Sequence, residues 1–241
     1  GPGLCQRHGC KALIVTVAPH RARKRFGQNF LIDAGVIAQI VAVIGPRADD
    51  NLVEIGPGEG ALTGPLLARV PGLHALELDR DLVTRLRGRF AACSGFEVVQ
   101  SDALTADFDN VGDPNRSLRV VGNLPYNIST PLLFHLFSFG ARIADMHFML
   151  QKEVVERMAA SPGGKSYGRL SVMSQYHCQV IPLFDVPADA FRPIPKVTST
   201  LVRLTPHPRG QQMVARDIPF LGQVVNACFQ QRRKTLRNCL G

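Results

Sequence analysis

The sequence predicts an α/β fold, a parallel β-sheet covered by helices on both faces. Two observations carry this. Short apolar runs alternate with segments of helical periodicity from Ala34 to Gln151. That alternation of strand and helix argues for a parallel sheet covered on both faces. A glycine-rich turn, Gly56-Pro57-Gly58-Glu59-Gly60, joins the first run to the next helix.

The elements follow in order. Residues 1–19 show no steady periodicity and are expected to be a flexible N-terminal segment. Ala34–Ile44 places Val36, Ile37, Ile40, Val41 and Ile44 at helical spacing, with Asp33 as the cap. Asn51–Ile55 is a strand, Leu62–Arg69 a helix and His74–Leu78 a strand. Asp81–Phe90 is a helix with Leu82, Leu86 and Phe90 on one side. Phe96–Gln100 and Leu118–Gly122 are strands, Thr130–Phe139 a helix and His147–Leu150 a fifth strand. Glu153–Ala159 continues as helix into a loop, Ser161–Ser166. Tyr176–Val186 and Val197–Leu204 read as late strands closing the sheet, with Phe191-Arg192-Pro193-Ile194-Pro195 in the loop between them. A polar linker over 205–216 precedes one amphipathic helix, Phe220–Cys239.

Composition narrows the class. The chain has 241 residues, 45% of them hydrophobic, enough for a substantial core. Its net charge is +9, and no acidic residue precedes Asp33. Basic clusters at Arg23-Lys24-Arg25 and at Arg232-Arg233-Lys234 with Arg237 are candidate phosphate contacts. The plain alternative is a solvated, arginine-rich surface. The six cysteines form no Cys-x-x-Cys and have no histidines at zinc-site spacing, so no metal is expected. They read as buried thiols of a reducing, cytoplasmic compartment. No apolar run approaches membrane-span length, so no membrane partner is expected.

Chemistry concentrates at the strand ends. Glycines after the first strand let the backbone approach a ligand. The third glycine comes one position early for a dinucleotide fingerprint, and Pro57 lacks the N–H that a pyrophosphate cradle uses. Glu77 ends the second strand, where a carboxylate accepts ribose hydroxyls. Asp102 follows the third and can accept an adenine amine. These three sites, one after each of three successive strands, outline a binding track for S-adenosylmethionine. Asn123-Leu124-Pro125-Tyr126 follows the fourth strand, beside that track. The Asn123 oxygen can accept from an exocyclic amine, Pro125 fixes the turn, and Tyr126 offers a face for stacking. Phe191 is a candidate for the other face of the base, with ordinary core packing as the alternative. This constellation is expected to methylate an amino nitrogen of a nucleobase.

The same residues carry a family resemblance. Lys24-Arg25-Phe26-Gly27-Gln28-Asn29-Phe30-Leu31, the Glu-Ile-Gly-Pro-Gly turn, Glu77-Leu78-Asp79 and Asn123–Ser129 belong to it. So do Gln151-Lys152-Glu153, Tyr167-Gly168-Arg169-Leu170 and Gln231-Arg232-Arg233-Lys234-Thr235. From about His20 onward the chain closely resembles the bacterial small-subunit rRNA adenine dimethyltransferases, the KsgA (RsmA) family. The resemblance implies a Rossmann-like methyltransferase domain over 20–204. It also implies a linker and the first part of a truncated helical C-terminal domain over 205–241. It implies dimethylation of N6 on two adjacent adenosines in the 3′-terminal hairpin loop of 16S rRNA, in immature small-subunit particles, by a monomer. By matching positions, Gln28, Asn29, Leu31, Gly56, Gly58, Glu77, Leu78, Asp102, Ala103 and Asn123 would hold S-adenosylmethionine. Asn123, Leu124, Pro125, Tyr126 and Phe191 would form the base pocket. Three alternatives stand beside it: a 23S rRNA enzyme of the macrolide-resistance type, a ribosome-assembly factor with secondary catalysis, and a nicotinamide-dependent dehydrogenase.

Overall fold

The structure is a computed structural model and describes residues 28–208, 215–230 and 234–240. The N-terminal segment and Arg23, Lys24, Arg25, Arg232 and Arg233 lie outside the described residues.

Nine strands and eight α-helices are described: β1 (Phe30–Leu31), α1 (Ala34–Ile44), β2 (Leu52–Ile55), α2 (Thr63–Leu67), β3 (His74–Glu77), α3 (Arg80–Arg89), β4 (Glu97–Gln100), β5 (Leu118–Asn123), α4 (Ser129–Phe137), β6 (Ile143–Gln151), α5 (Lys152–Met158), α6 (Arg169–His177), β7 (Cys178–Val186), β8 (Phe191–Arg192), β9 (Ser199–Pro206), α7 (Ile218–Gln230) and α8 (Leu236–Leu240). The main sheet runs β4-β3-β2-β5-β6-β9-β7. The first five strands in that order are parallel, and β9 lies antiparallel between β6 and β7. β2 therefore sits between β3 and β5, where the strand order reverses. A crevice opens beyond the carboxyl ends of strands at such a point.

The central strands are covered on both faces, which is why they read as largely apolar runs, whereas the edge strands β4 and β7 are partly exposed. Val53, Ile55, Val120, Phe148 and Leu150 pack on α4, α5 and α6 through Leu132, Leu136, Val155 and Leu170. Their neighbours Leu52, Val121 and Met149 join the opposite cluster with Ile40, Leu66 and Val83 of α1, α2 and α3. Asp33 caps α1 as expected, accepting from the Val36 N–H at 2.8 Å. The carboxyl end of α1 is tied to the sheet by Arg119, which donates to the Ile44 carbonyl at 2.7 Å and pairs with Asp50 at 2.6 Å and Asp145 at 3.0 Å.

Several elements depart from expectation, each for a physical reason. Arg169–His177 is helix, although the sequence pattern predicts no element there ahead of a strand from Tyr176. Its buried face contains Ser171 and Ser174, both 0% exposed, so apolar periodicity is missing from the sequence. Ser171 instead donates to the Arg157 carbonyl, and Gln175 donates to the carbonyls of Met158 and Ala160, both at 2.8 Å. β6 starts at Ile143, four residues early, because the polar Asp145 inside it faces Arg119. Phe191-Arg192 is not loop but β8, paired antiparallel with β1. The single C-terminal helix is replaced by α7 and α8; Asp217 begins α7, accepting from the Phe220 N–H at 2.8 Å. Lys234 and Arg237 are exposed there.

Cys178 is a buried free thiol, as expected, and burial pushes it up to about 12; Cys228 and Cys239 are also free but only partly buried. Cys93 departs from that expectation: it is disulfide-bonded. Among the described residues no helix is long and apolar enough to cross a membrane, and no cluster of His, Cys, Asp or Glu could hold a metal ion.

Candidate active site

A cavity of about 260 Å³ lies at the carboxyl ends of β2, β3, β4 and β5. The turn after β2 forms its floor. Gly56 and Gly58 have φ of 64° and 59°, and a Cβ on Gly58 would stand 3.0 Å from the Phe30 ring. Glycine is thus required at Gly58 both by the backbone and by the close approach of β1.

The structure brings most of the sequence-predicted residues to this one cavity. Gln28, Asn29, Leu31, Gly56, Gly58, Glu77, Leu78, Asp102, Ala103 and Asn123 line it, as do Leu124, Pro125 and Tyr126. Phe191 is the exception and corrects the expectation. It is 0% exposed and packed in the core beside Leu31, Val186 and Leu201, so it has no face to offer a base. Its contribution is to seat β8 against β1, whose Phe30 and Leu31 are cavity walls.

Glu77 is fixed at both oxygens. Oε1 accepts from the Asp79 N–H at 2.9 Å and Oε2 from the Gly58 N–H at 3.1 Å. A carboxylate has about four lone-pair positions, so two remain for ligand hydroxyls. Burial raises its pKa above the usual carboxylate range; the backbone N–H groups of Asp79, Gly58 and Leu78 oppose the rise, and the charge of Asp79 adds to it. Asp102 accepts from the Leu104 N–H at 2.9 Å, which orients its carboxylate at the end of β4.

Asn123 is held by one end. Its Nδ2 donates to the Asn29 carbonyl at 2.8 Å. A carbonyl can only accept, so the amide nitrogen must face Asn29 and the amide oxygen is the end left for a ligand. Tyr126 is half-buried, with its hydroxyl 2.8 Å from Ser199 Oγ.

Sequence reasoning missed Glu54. It is 2% exposed, lines the cavity, and accepts from Thr63 Oγ1 at 2.7 Å. Burial pushes it up to about 7, opposed by the Thr63 hydrogen bond and reinforced by Glu77. The available signal was an acid inside the otherwise apolar strand Leu52-Val53-Glu54-Ile55. Because the folded pKa exceeds the unfolded one, Glu54 costs no stability below about pH 4.5 and a growing amount as pH rises toward 7. Glu54→Gln is expected to remove this loss, gaining up to about 3 kcal/mol near neutral pH at about 1.4 kcal/mol per pK unit. Thermal unfolding of both proteins across pH 4–8 checks it; parallel curves would place the Glu54 proton elsewhere.

The acids also select the ligand's charge. Glu54, Glu77 and Asp102 converge on the cavity, which favours a cationic ligand over a pyrophosphate.

Solved structures share this architecture. A dimethyladenosine transferase from Plasmodium falciparum superposes with a TM-score of 0.77 at 29% identity, covering 88% of this chain and 74% of that one. The 23S rRNA methyltransferase ErmE gives 0.72 at 27%, covering 88% and 83%. Sheet order and cleft together define a Rossmann-like methyltransferase. The sequence narrows this further. Ribosomal RNA small subunit methyltransferase A of Saccharophagus degradans is 62% identical over 221 residues, covering 92% of this chain and 82% of its own. The enzyme of that name from Pseudomonas putida is 59% identical over 221 residues, with the same coverage. Residues 19–241 match the family described as ribosomal RNA adenine dimethylase, and the chain belongs to that family.

Proposed function

We propose that this enzyme dimethylates N6 of two adjacent adenosines in the 3′-terminal hairpin loop of 16S rRNA, in immature small-subunit particles, with S-adenosylmethionine as donor. The observation that carries it is the tethered Asn123 amide, whose oxygen is available in the same cavity as Glu77 and Asp102. The much higher identity to small-subunit enzymes than to ErmE favours the 16S substrate over the 23S one.

The cavity's residues fit the donor. Glu77 would take the ribose hydroxyls, Asp102 the adenine amine, and Leu78 and Ala103 would flank the adenine. Gly56 and Gly58 leave room for the backbone to approach, and Gln28, Asn29 and Leu31 close the opposite wall. When bound, S-adenosylmethionine supplies an electrophilic methyl carbon.

The chain's own residues supply positioning. An adenine amine is a weak nucleophile because its lone pair is delocalised into the ring. Asn123 Oδ1 and the Leu124 carbonyl accept its two N–H hydrogens, favouring a pyramidal nitrogen with its lone pair aimed along the line of displacement. Tyr126 holds the base by stacking, worth roughly 1–3 kcal/mol. Pro125 fixes the turn that sets these groups side by side. After one transfer a single N–H remains, and a neutral amide tolerates that change where a charged acceptor would be left overcommitted. The proton leaves to water. A hairpin-loop adenine is already partly unstacked, which lowers the cost of extrusion.

We assign residues 20–204 to the methyltransferase domain and 205–241 to a linker and a helical segment that contains α7 and α8. The enzyme acts as a cytoplasmic monomer. The basic groups of 23–25 and 232–234, with Arg237, contact RNA phosphates. The decisive experiment treats immature small-subunit particles with enzyme and labelled donor and resolves the nucleosides by mass spectrometry. N6,N6-dimethyladenosine in 16S rRNA is expected. Label confined to 23S rRNA would move the reading to the resistance-type enzyme.

A further inference from the structure

Tyr126 enters the cavity from the turn after β5, and one contact fixes the direction of its ring. Its hydroxyl meets Ser199 Oγ, 73 residues further along the chain, at 2.8 Å. Ser199 is 1% exposed and opens β9. That strand is held from both sides, with Ser199 opposite Gln151 of β6 and Val186 of β7. The residues around it are fixed as well. The Thr198 carbonyl accepts from the Lys152 N–H at 3.0 Å, and the Thr200 hydroxyl donates to Asp185 at 2.6 Å. Tyr126 sits on a turn, whereas Ser199 sits on an internal strand of the sheet. The bond therefore transfers the rigidity of the strand to the ring. Burial raises the phenol's pKa, so it stays protonated at neutral pH and keeps a hydrogen to share.

We propose that Ser199 is a positioning residue for methyl transfer: its hydroxyl latches the Tyr126 phenol so that the ring presents one fixed face to the target base. This rests on the reading of Tyr126 as the stacking platform. Ser199 touches neither donor nor base and acts through Tyr126 alone.

Three variants and two readouts test it. Ser199→Ala and Tyr126→Phe each remove the latch while leaving the aromatic ring. Each is expected to lower kcat/KM for small-subunit particles about five-fold, the scale of one net hydrogen bond. Calorimetric binding of S-adenosylmethionine should be unchanged. The double variant should be no slower than either single, because both delete the same bond. Losses that multiply, or a wild-type rate in Ser199→Ala, would overturn the proposal. If Ser199→Ala does not fold, Tyr126→Phe decides alone: a five-fold loss supports the latch and a wild-type rate removes it. The second readout does not depend on activity. The chain has 3 tyrosines, so the Tyr126 ring signals are readily assigned by aromatic NMR. They should shift in Ser199→Ala; an unchanged spectrum refutes the latch. Wild-type enzyme that fails to methylate small-subunit particles would instead count against the 16S reading, and the spectrum would still decide whether Ser199 fixes the ring.

Discussion

Asn123→Ala is expected to slow methyl transfer by about 10²–10³-fold, the loss that follows removal of one pre-positioned polar group at a reacting centre. The alanine lacks the oxygen that accepts from the target amine and lacks the Nδ2 that binds the Asn29 carbonyl. Donor affinity should fall far less, because Glu77 and Asp102 remain. Single-turnover transfer at saturating donor separates the two effects. A loss under ten-fold would place the amine's acceptor elsewhere. Asn123→Asp is a sharper variant. It keeps an acceptor oxygen, but at neutral pH a carboxylate cannot donate to the Asn29 carbonyl, and it adds a further acid to a cavity already lined by Glu54, Glu77 and Asp102. It too should be nearly inactive, which would show that an acceptor oxygen alone is not enough at this position. The same alanine variant addresses the assembly-factor reading, which expects it still to bind particles and to perform the cellular role.

Much of the site was legible because its residues lie at the ends of strands whose apolar runs are unmistakable. Glu77, Asp102 and Asn123 follow three such runs, and parallel strands bring their carboxyl ends to one edge whatever the details of packing. The glycine turn was legible for a similar reason: its positive φ values need glycine, so the residue type reports the backbone directly. What escaped lacked a local signal. The helix α6 buries two serines, one of which, Ser171, donates to the Arg157 carbonyl, a pattern hydropathy cannot register. Phe191 was ambiguous because an aromatic after a strand reads equally as stacking platform or core, and only the pairing of β8 with β1 decides for the core. Glu54 precedes the glycine turn and carries no local signal of its role, since its meaning depends on Thr63 and Glu77, nine and 23 residues away in sequence. The tie from Tyr126 to Ser199 spans still more of the chain and is visible only in three dimensions.

Glu77→Ala is expected to weaken S-adenosylmethionine binding about 10²-fold or more, because hydrogen bonds to a charged acceptor contribute roughly 1.5–3 kcal/mol each and two ribose hydroxyls are involved. The variant should also melt earlier. The Gly58 and Asp79 N–H groups that now donate to the carboxylate would lose their acceptor, so the glycine turn loosens as the ligand contact disappears. Glu77→Gln separates the contributions: it fills the same space and keeps one oxygen, so it should recover part of the stability and less of the affinity. The pH dependence follows from the direction of the shift. The raised pKa of Glu77 means that its carboxylate is lost as pH falls through a value above the usual range, and donor affinity in the wild-type protein should decline there. That decline should vanish in Glu77→Gln. A further consequence reaches Glu54, whose pKa is raised partly by the neighbouring Glu77 charge. With Glu77 neutralised, Glu54 should titrate below about 7, and the stability it costs near neutral pH should shrink. Calorimetric titration and thermal unfolding across pH 5–8 measure both effects on the same samples. Donor affinity within ten-fold of wild type in Glu77→Ala would remove the ribose from this carboxylate and displace the donor from the end of β3.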